Sequence, residues 1–310
     1  MFHPFVSPKA LVRRTTFIPA RRLARHLGFP ITLVTETFQE TGSFAIRAAD
    51  HIAANVSAPV LITTSFGNFG QALACACLVR KKSCIVVAPS TCPARNIHAI
   101  REYHGQVEFV DLRLQSLAER VIELTREYRG AYVTSPSDDA LAIEGIASLG
   151  REIASLKRNF ERVVTPIGGG ALASGIVVGL RDSGNKSFVV GAEPLIANDA
   201  ARSFKQGEIV ANSTEPETLA DGARNLRLGR CAWPILYRSL FDIVEVPEEK
   251  IAEAMRLLFE LANLKAEPTG ALGLAAVLSE PQLFRDRSVC CIVSGGNVCP
   301  ALYQTILGGH

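Results

Sequence analysis

No stretch of 18 residues in this 310-residue chain is both apolar and free of charge, so a membrane-spanning helix is not expected. Charge of one sign is not concentrated either. The formal net charge is +3, from 33 Lys and Arg against 30 Asp and Glu, with no basic block. Nothing in that balance points to nucleic acid or to a membrane surface. The one local excess is Arg13, Arg14, Arg21, Arg22 and Arg25, which share an amphipathic pattern with Leu23 and Leu27 and read as a solvated helix face. The N-terminus lacks the basic start, apolar core and small-residue cleavage site of a secretory leader. Eight cysteines are present, but none forms a CxxC pair and none lies at metal-ligand spacing from a histidine. Most lie in Ala/Val/Ile-rich segments, which predicts free thiols in a reducing, cytoplasmic setting. GxGxxG is also absent, which disfavours a dinucleotide-binding fold.

What is present is alternation. Strands are predicted at 31–34, 60–63, 83–88, 107–110, 162–167, 187–192, 243–246 and 289–293. Between them, helices are predicted at 20–27, 46–56, 71–79, 94–103, 116–128, 140–156, from 172, at 247–263 and at 269–278. Short connections between alternating strands and helices predict parallel sheets covered on both faces, an α/β architecture. Residues 59–139 have the size of a small open-sheet domain, leaving 1–58 with 140–310 as a larger one. The segment 206–230 reads as irregular and polar. No internal repeat is visible, and no further regulatory module is expected.

Four strand-to-helix junctions carry residues suited to chemistry. Thr41-Gly42-Ser43-Phe44-Ala45-Ile46-Arg47 follows the strand that Glu36 closes. Gly168-Gly169-Gly170-Ala171 reads either as a phosphate cradle of backbone N–H groups or as a tight connection without a ligand. Ser65-Phe66-Gly67-Asn68-Phe69-Gly70 offers N–H groups for a carboxylate and an amide for an oxyanion, or is simply a turn. Ser294-Gly295-Gly296-Asn297 presents a hydroxyl where glycine lets a flat ligand lie close.

In order along the chain, TGSF-x-IR, SxGNxGQA, GGG followed by LxSG, EPTGA (Glu267 to Ala271) and SGGNV (Ser294 to Val298) resemble the fold-type II pyridoxal-phosphate enzymes. The match spans nearly the whole chain. Leu219-Ala220-Asp221-Gly222, Trp233-Pro234-Ile235 and Gly191-Ala192-Glu193-Pro194 resemble the serine/threonine dehydratase and serine racemase branch. The resemblance implies two open parallel-sheet domains with pyridoxal 5′-phosphate between them, and a homodimer. It implies that Gly168, Gly169, Gly170 and Ala171 hold the cofactor phosphate, with Ala171 in place of a fourth glycine. Asn68 would meet the cofactor 3′-oxygen, Phe44 the pyridine face and Ser294 the ring nitrogen. Ser43, Ser65, Phe66, Gly67 and Phe69 would border an amino acid substrate. Glu193, the Ala197 carbonyl and Asp199 would form an oxygen-ligand site for Mg²⁺ or Ca²⁺.

Position 45 departs from the pattern. The family's lysine, which carries the cofactor covalently and removes the α-proton, is Ala45 here, and alanine does neither. The retained cofactor groups favour a deliberate replacement in an active enzyme over a natural relative that has lost catalysis. Phe66 replaces a serine that acts as acid/base in serine racemases, which disfavours two-base racemisation. Phe69 replaces a common histidine, and Ile146 and Ala147 replace a Gln-Gly pair, so an apolar pocket for a bulky or aryl β-substituent is expected. The expected activity is β-elimination of water from a β-hydroxy amino acid to a 2-oxo acid and ammonia, with this Ala45 chain inactive or severely impaired. A β-replacement enzyme of the cysteine synthase type and a catalytically dead cofactor-binding protein are the alternatives.

Overall fold

A computed structural model describes residues 11–156 and 159–308. The irregular start expected at the N-terminus lies partly outside them, in residues 1–10. The chain opens with β1 (Thr16–Pro19), α1 (Arg21–Leu27), β2 (Ile31–Thr35) and α2 (Ala45–Asn55). Then follow β3 (Val60–Thr63), α3 (Asn68–Val79), β4 (Ser83–Pro89), α4 (Ala94–Glu102), β5 (Gln106–Val110), α5 (Leu117–Glu127) and β6 (Tyr132–Val133). Next are α6 (Ala140–Ala154), β7 (Arg162–Pro166), α7 (Ala171–Asp182), β8 (Phe188–Pro194) and α8 (Asp199–Gln206). The last elements are α9 (Trp233–Ser239), β9 (Leu240–Val246), α10 (Glu248–Ala262), α11 (Pro268–Ser279), β10 (Val289–Val293) and α12 (Pro300–Gly308).

The strands form two sheets, one of order β5-β4-β3-β6 and one of order β1-β2-β10-β7-β8-β9. Every residue of β2 and β10 is buried, as expected for parallel strands covered by helices on both faces. Pairing is parallel throughout except at the edge, where β1 runs antiparallel to β2. The sequence pattern does not announce β1, β6, α8, α9 or α12. β1 ends in a proline and β6 is two residues long, too short for periodicity to register.

Small residues let the helices between the sheets approach closely. One hydrophobic cluster runs from Ile46, Ala49 and Ile52 on α2 through Ala72 and Cys75 on α3 to Ile143, Ile146 and Ile176 on α6 and α7. This shared core places the C-terminal ends of β3 on one sheet and of β2, β7 and β10 on the other around a common cleft. The expected free thiols fit the packing: Cys75, Cys77, Cys84, Cys290 and Cys291 are buried and unpaired.

Candidate functional site

All four chemistry-bearing junctions follow the C-terminal ends of parallel strands, where open α/β sheets place ligands. Two of them are stitched together by backbone. Ser43 bridges Gly295 in antiparallel fashion, the Phe44 N–H donates to the Ser294 carbonyl at 2.9 Å, and the Gly296 N–H donates to the Gly42 carbonyl at 3.0 Å. The loop before α2 and the loop after β10 are thus one surface.

Ala45 is the first residue of α2 and is 3% exposed. Two residues on, Arg47 is wholly buried. Its Nε and Nη2 donate to the two oxygens of Glu36 at 2.6 and 3.0 Å, and its Nη1 donates to Glu152 at 2.7 Å and Ser148 at 2.9 Å. Burial alone would lower its pKa, but the bonds to Glu36 and Glu152 outweigh that and hold it above the ordinary value. This network anchors the start of α2, and so position 45, against β2 and α6.

Gly168, Gly169 and Gly170 link β7 to α7, and Gly170 caps the helix in the left-handed region at φ +92°. Ala171 begins the helix itself, and the first intrahelical bond runs from the Ser174 N–H to the Gly170 carbonyl. The N–H groups ahead of it point outward with the positive end of the helix dipole, a ready place for a phosphate. Asn68 starts α3 after Gly67, and Ser294, 1% exposed, follows β10. Among the described residues the buried hydroxyls of Thr41, Ser43 and Thr165 have no partner; the first two lie in the loop before α2 and the third near the end of β7. Buried polar atoms without partners are costly, and a polar ligand in the cleft would relieve them. These residues fit pyridoxal 5′-phosphate.

Ser65 and Phe66 are half-buried and Gly67 is exposed. Phe69 is 5% exposed and belongs to the hydrophobic cluster that joins α3 to α2. A tertiary packing role thus occupies its ring, and of the two phenylalanines Phe66 has the freer face.

Glu193 ends β8 and Asp199 begins α8, both 1% exposed. Glu193 accepts the N–H groups of Ala200 and Ala201, each at 2.9 Å, and so caps α8. Asp199 Oδ1 accepts from Asn212 Nδ2 at 3.0 Å, while Oδ2 is buried without a partner. Burial raises both pKa values; Asp199 is pushed up to about 7, and the neighbouring Asp199 charge adds to the effect on Glu193. Ala197 is buried in the short 3-10 turn between them. Among the described residues no group of three or more His, Cys, Asp or Glu side chains could hold a metal ion.

Glu267 is not singled out by charge or spacing, only as part of EPTGA. It precedes α11, is 4% exposed, and accepts from Asn68 Nδ2 at 2.8 Å. Its signal in the sequence is an acid flanked by Ala266 and Pro268 at a helix start, which looks like an ordinary N-cap. No side-chain capping bond is formed there, because the carboxyl turns into the cleft instead.

The family model described as pyridoxal-phosphate dependent enzyme matches residues 9–295. An L-threo-3-hydroxyaspartate ammonia-lyase from Pseudomonas sp is 30% identical over 97% of this chain and 95% of its own length. A beta-hydroxyaspartate dehydratase from Paracoccus denitrificans is 31% identical over 94% of this chain and 92% of its own. Among solved structures, a threonine deaminase from T.th. superposes with a TM-score of 0.87 at 34% identity, covering 93% of this chain and 94% of that one. With a family model over almost the full length, relatives of this identity and the two-sheet architecture in common, the chain belongs to the fold-type II family of pyridoxal-phosphate-dependent enzymes.

Proposed function

We propose that the cleft is the active site of an ammonia-lyase for β-hydroxy amino acids, in which Ala45 has removed the group that carries out turnover. The observation that carries this reading is a cleft complete in everything but position 45. The α7 N-terminus, Asn68 and Ser294 all follow the C-terminal ends of parallel strands, Ser43 bridges Gly295 beside Ser294, the hydroxyls of Ser43 and Thr165 lack partners, and the first residue of α2 is an alanine. Relatives named for eliminating from hydroxyaspartate and threonine support the substrate class.

The bound cofactor supplies an electron sink for the α-carbon. The chain's own residues bind and orient. N–H groups of Gly168, Gly169, Gly170 and Ala171 would hold the phosphate, and the Asn68 amide would meet the ring oxygen. Ser294 would hydrogen-bond the ring nitrogen, and Phe44 would cover a ring face. A serine, unlike a carboxylate, would not hold that nitrogen protonated, a setting suited to loss of the β-hydroxyl. The N–H groups of the turn from Phe66 to Phe69 would hold the substrate carboxylate, the Ser65 N–H donating to Thr63 Oγ1 at 3.2 Å. Phe66 borders the β-carbon, so a bulky or aryl β-substituent such as that of phenylserine would meet one ring, with Phe69 committed to the core.

Glu193, the Ala197 carbonyl and Asp199 would hold Mg²⁺ or Ca²⁺. The unpartnered Asp199 Oδ2 and an all-oxygen donor set suit a hard cation, although two carboxylates are a sparse set.

The test is to restore lysine by Ala45→Lys and offer serine, threonine, threo-3-hydroxyaspartate and phenylserine. The expected result is equimolar 2-oxo acid and ammonia from at least one of them, against none from the Ala45 chain. A lysine form that holds the cofactor covalently yet releases no 2-oxo acid would overturn the ammonia-lyase reading.

A further inference from the structure

Four of the sequence motifs are joined by one chain of hydrogen bonds that ends at a buried carboxyl. Glu267 Oε1 accepts from Asn68 Nδ2 at 2.8 Å. Asn68 Oδ1 in turn accepts from Asn297 Nδ2 at 2.7 Å, and Asn297 Nδ2 also donates to the Thr41 carbonyl at 2.8 Å. A carbonyl can only accept, so Thr41 determines which end of the Asn297 amide faces it, and that orientation determines the Asn68 amide. The chain of donors therefore has one polarity, running outward from Asn297 to both Thr41 and Asn68 and on from Asn68 to Glu267. Glycines keep the space open: a Cβ at Gly42, itself at φ +72°, would strike Asn297 Oδ1, and one at Gly295 would strike Glu267 Oε1. Asn68 stands on the unit with the four-stranded sheet, and Glu267, Asn297 and Thr41 on the unit with the six-stranded one.

We propose that Glu267 is a positioning residue: with Asn297 it locks the Asn68 amide so that its second N–H faces the cleft, and it fastens the two units across that cleft. The proposal rests on the cofactor reading above only for what the free N–H meets, the cofactor's ring oxygen. Its relay stands on the contacts alone. The groups that face the Glu267 carboxyl are Asn68 on α3, the Asn297 N–H after β10, and the charges of Asp221 and of Arg95 on α4, which pair with each other at 3.3 Å. Burial first, then Asp221, pushes the Glu267 pKa up to about 8, so near neutrality the carboxyl is largely uncharged. An ionised Glu267 would set a negative charge beside the cofactor oxygen, and affinity should fall as pH rises past that value.

The experiment has a cofactor-free arm. The Asn68 side-chain N–H₂ resonances, assigned by their loss in Asn68→Asp, should shift with a midpoint near pH 8 in the parent chain and stay flat in Glu267→Gln. Asn297→Leu, which removes the far end of the relay, should broaden them or move them towards free-amide values. The second arm measures pyridoxal phosphate affinity by equilibrium dialysis between pH 6 and 9. Glu267→Ala should weaken binding on the order of tenfold, the loss of one good buried hydrogen bond. Glu267→Gln should recover most of that and lack the parent's fall at high pH. Asn68 resonances indifferent to pH and to both Glu267→Gln and Asn297→Leu would overturn the relay. A shifting Asn68 signal in a chain that holds no cofactor would keep the relay and sink the cofactor reading instead.

Discussion

Behind position 45, Arg47 is fully buried with Glu36, and every oxygen of that carboxylate accepts from the guanidinium. At the end of β8, Glu193 and Asp199 are buried to the same degree, yet backbone and amide N–H groups are their recorded partners and one Asp199 oxygen has none. Both clusters stand beside strands of the same sheet. The first has its counter-charge within the chain, Arg47 against Glu36 at 2.6 Å. The second is neutralised by protons unless a cation arrives, which is why burial drives both its pKa values up. Buried charge is therefore structural where the opposite charge is covalently part of the chain, and open to protons or a proposed cation where it is not.

The comparison breaks most sharply at Arg47. Arg47→Leu leaves Glu36 buried without its partner, and we expect a loss of about 3–5 kcal/mol in urea unfolding, enough to mimic failure to fold. Glu36→Gln with Arg47→Leu should recover part of it. A loss under about 1 kcal/mol would show that the cluster is not the self-sufficient one.

A smaller effect is expected at Glu193 and Asp199. Protonation of Asp199, with its pKa raised to about 7, contributes stability that is fully present below the ordinary carboxylate range and lost as pH rises through about 7. In EDTA the Tm should therefore fall between pH 5 and 8. Excess Ca²⁺ or Mg²⁺ should restore it at pH 8, by about 3 kcal/mol at a hundredfold excess over Kd. Asp199→Asn should abolish the cation response and flatten the pH profile. Identical melting in EDTA and in cation at every pH would make this cluster an ordinary helix cap.

The smallest effect sharpens the contrast from the uncharged side. Ser43→Ala deletes a buried hydroxyl that has no partner, so cofactor-free stability should change by less than about 0.5 kcal/mol or rise. A loss above about 1 kcal/mol would mean the hydroxyl already has a structural bond, and its proposed place beside the substrate would fall.

Much of the scaffold is readable from the sequence because hydrophobic runs of four to seven residues between turn signals mark buried parallel strands, and β2, β3, β4, β7 and β10 all have that form. α8 is not, because it is eight residues long and polar, and the N–H groups of Ala200 and Ala201 at its start are taken up by Glu193, which lies outside the helix near the end of β8. Phe69 illustrates the opposite limit. Its position beside the Ser65–Gly67 turn suggests a substrate wall, but the direction of a side chain at the second residue of α3 depends on what packs above it, and Phe69 lies in the core shared with α2, α6 and α7.

The sequence by itself determined the parallel α/β layers, the order of the ligand loops and the absence of an amine at position 45, because local periodicity, turn chemistry and residue identity are properties of neighbouring residues. Only the tertiary structure decided that Glu36 belongs to Arg47, that Asp199 keeps an unpartnered oxygen, and that Glu267 and Asn297 hold Asn68. Asn68 is separated from these last two by about 200 residues or more. Such polar pairings carry no periodic signal. They are selected when the cores of α2, α3, α6 and α7 bring the strand ends together and leave each buried polar group to find whatever partner that geometry provides.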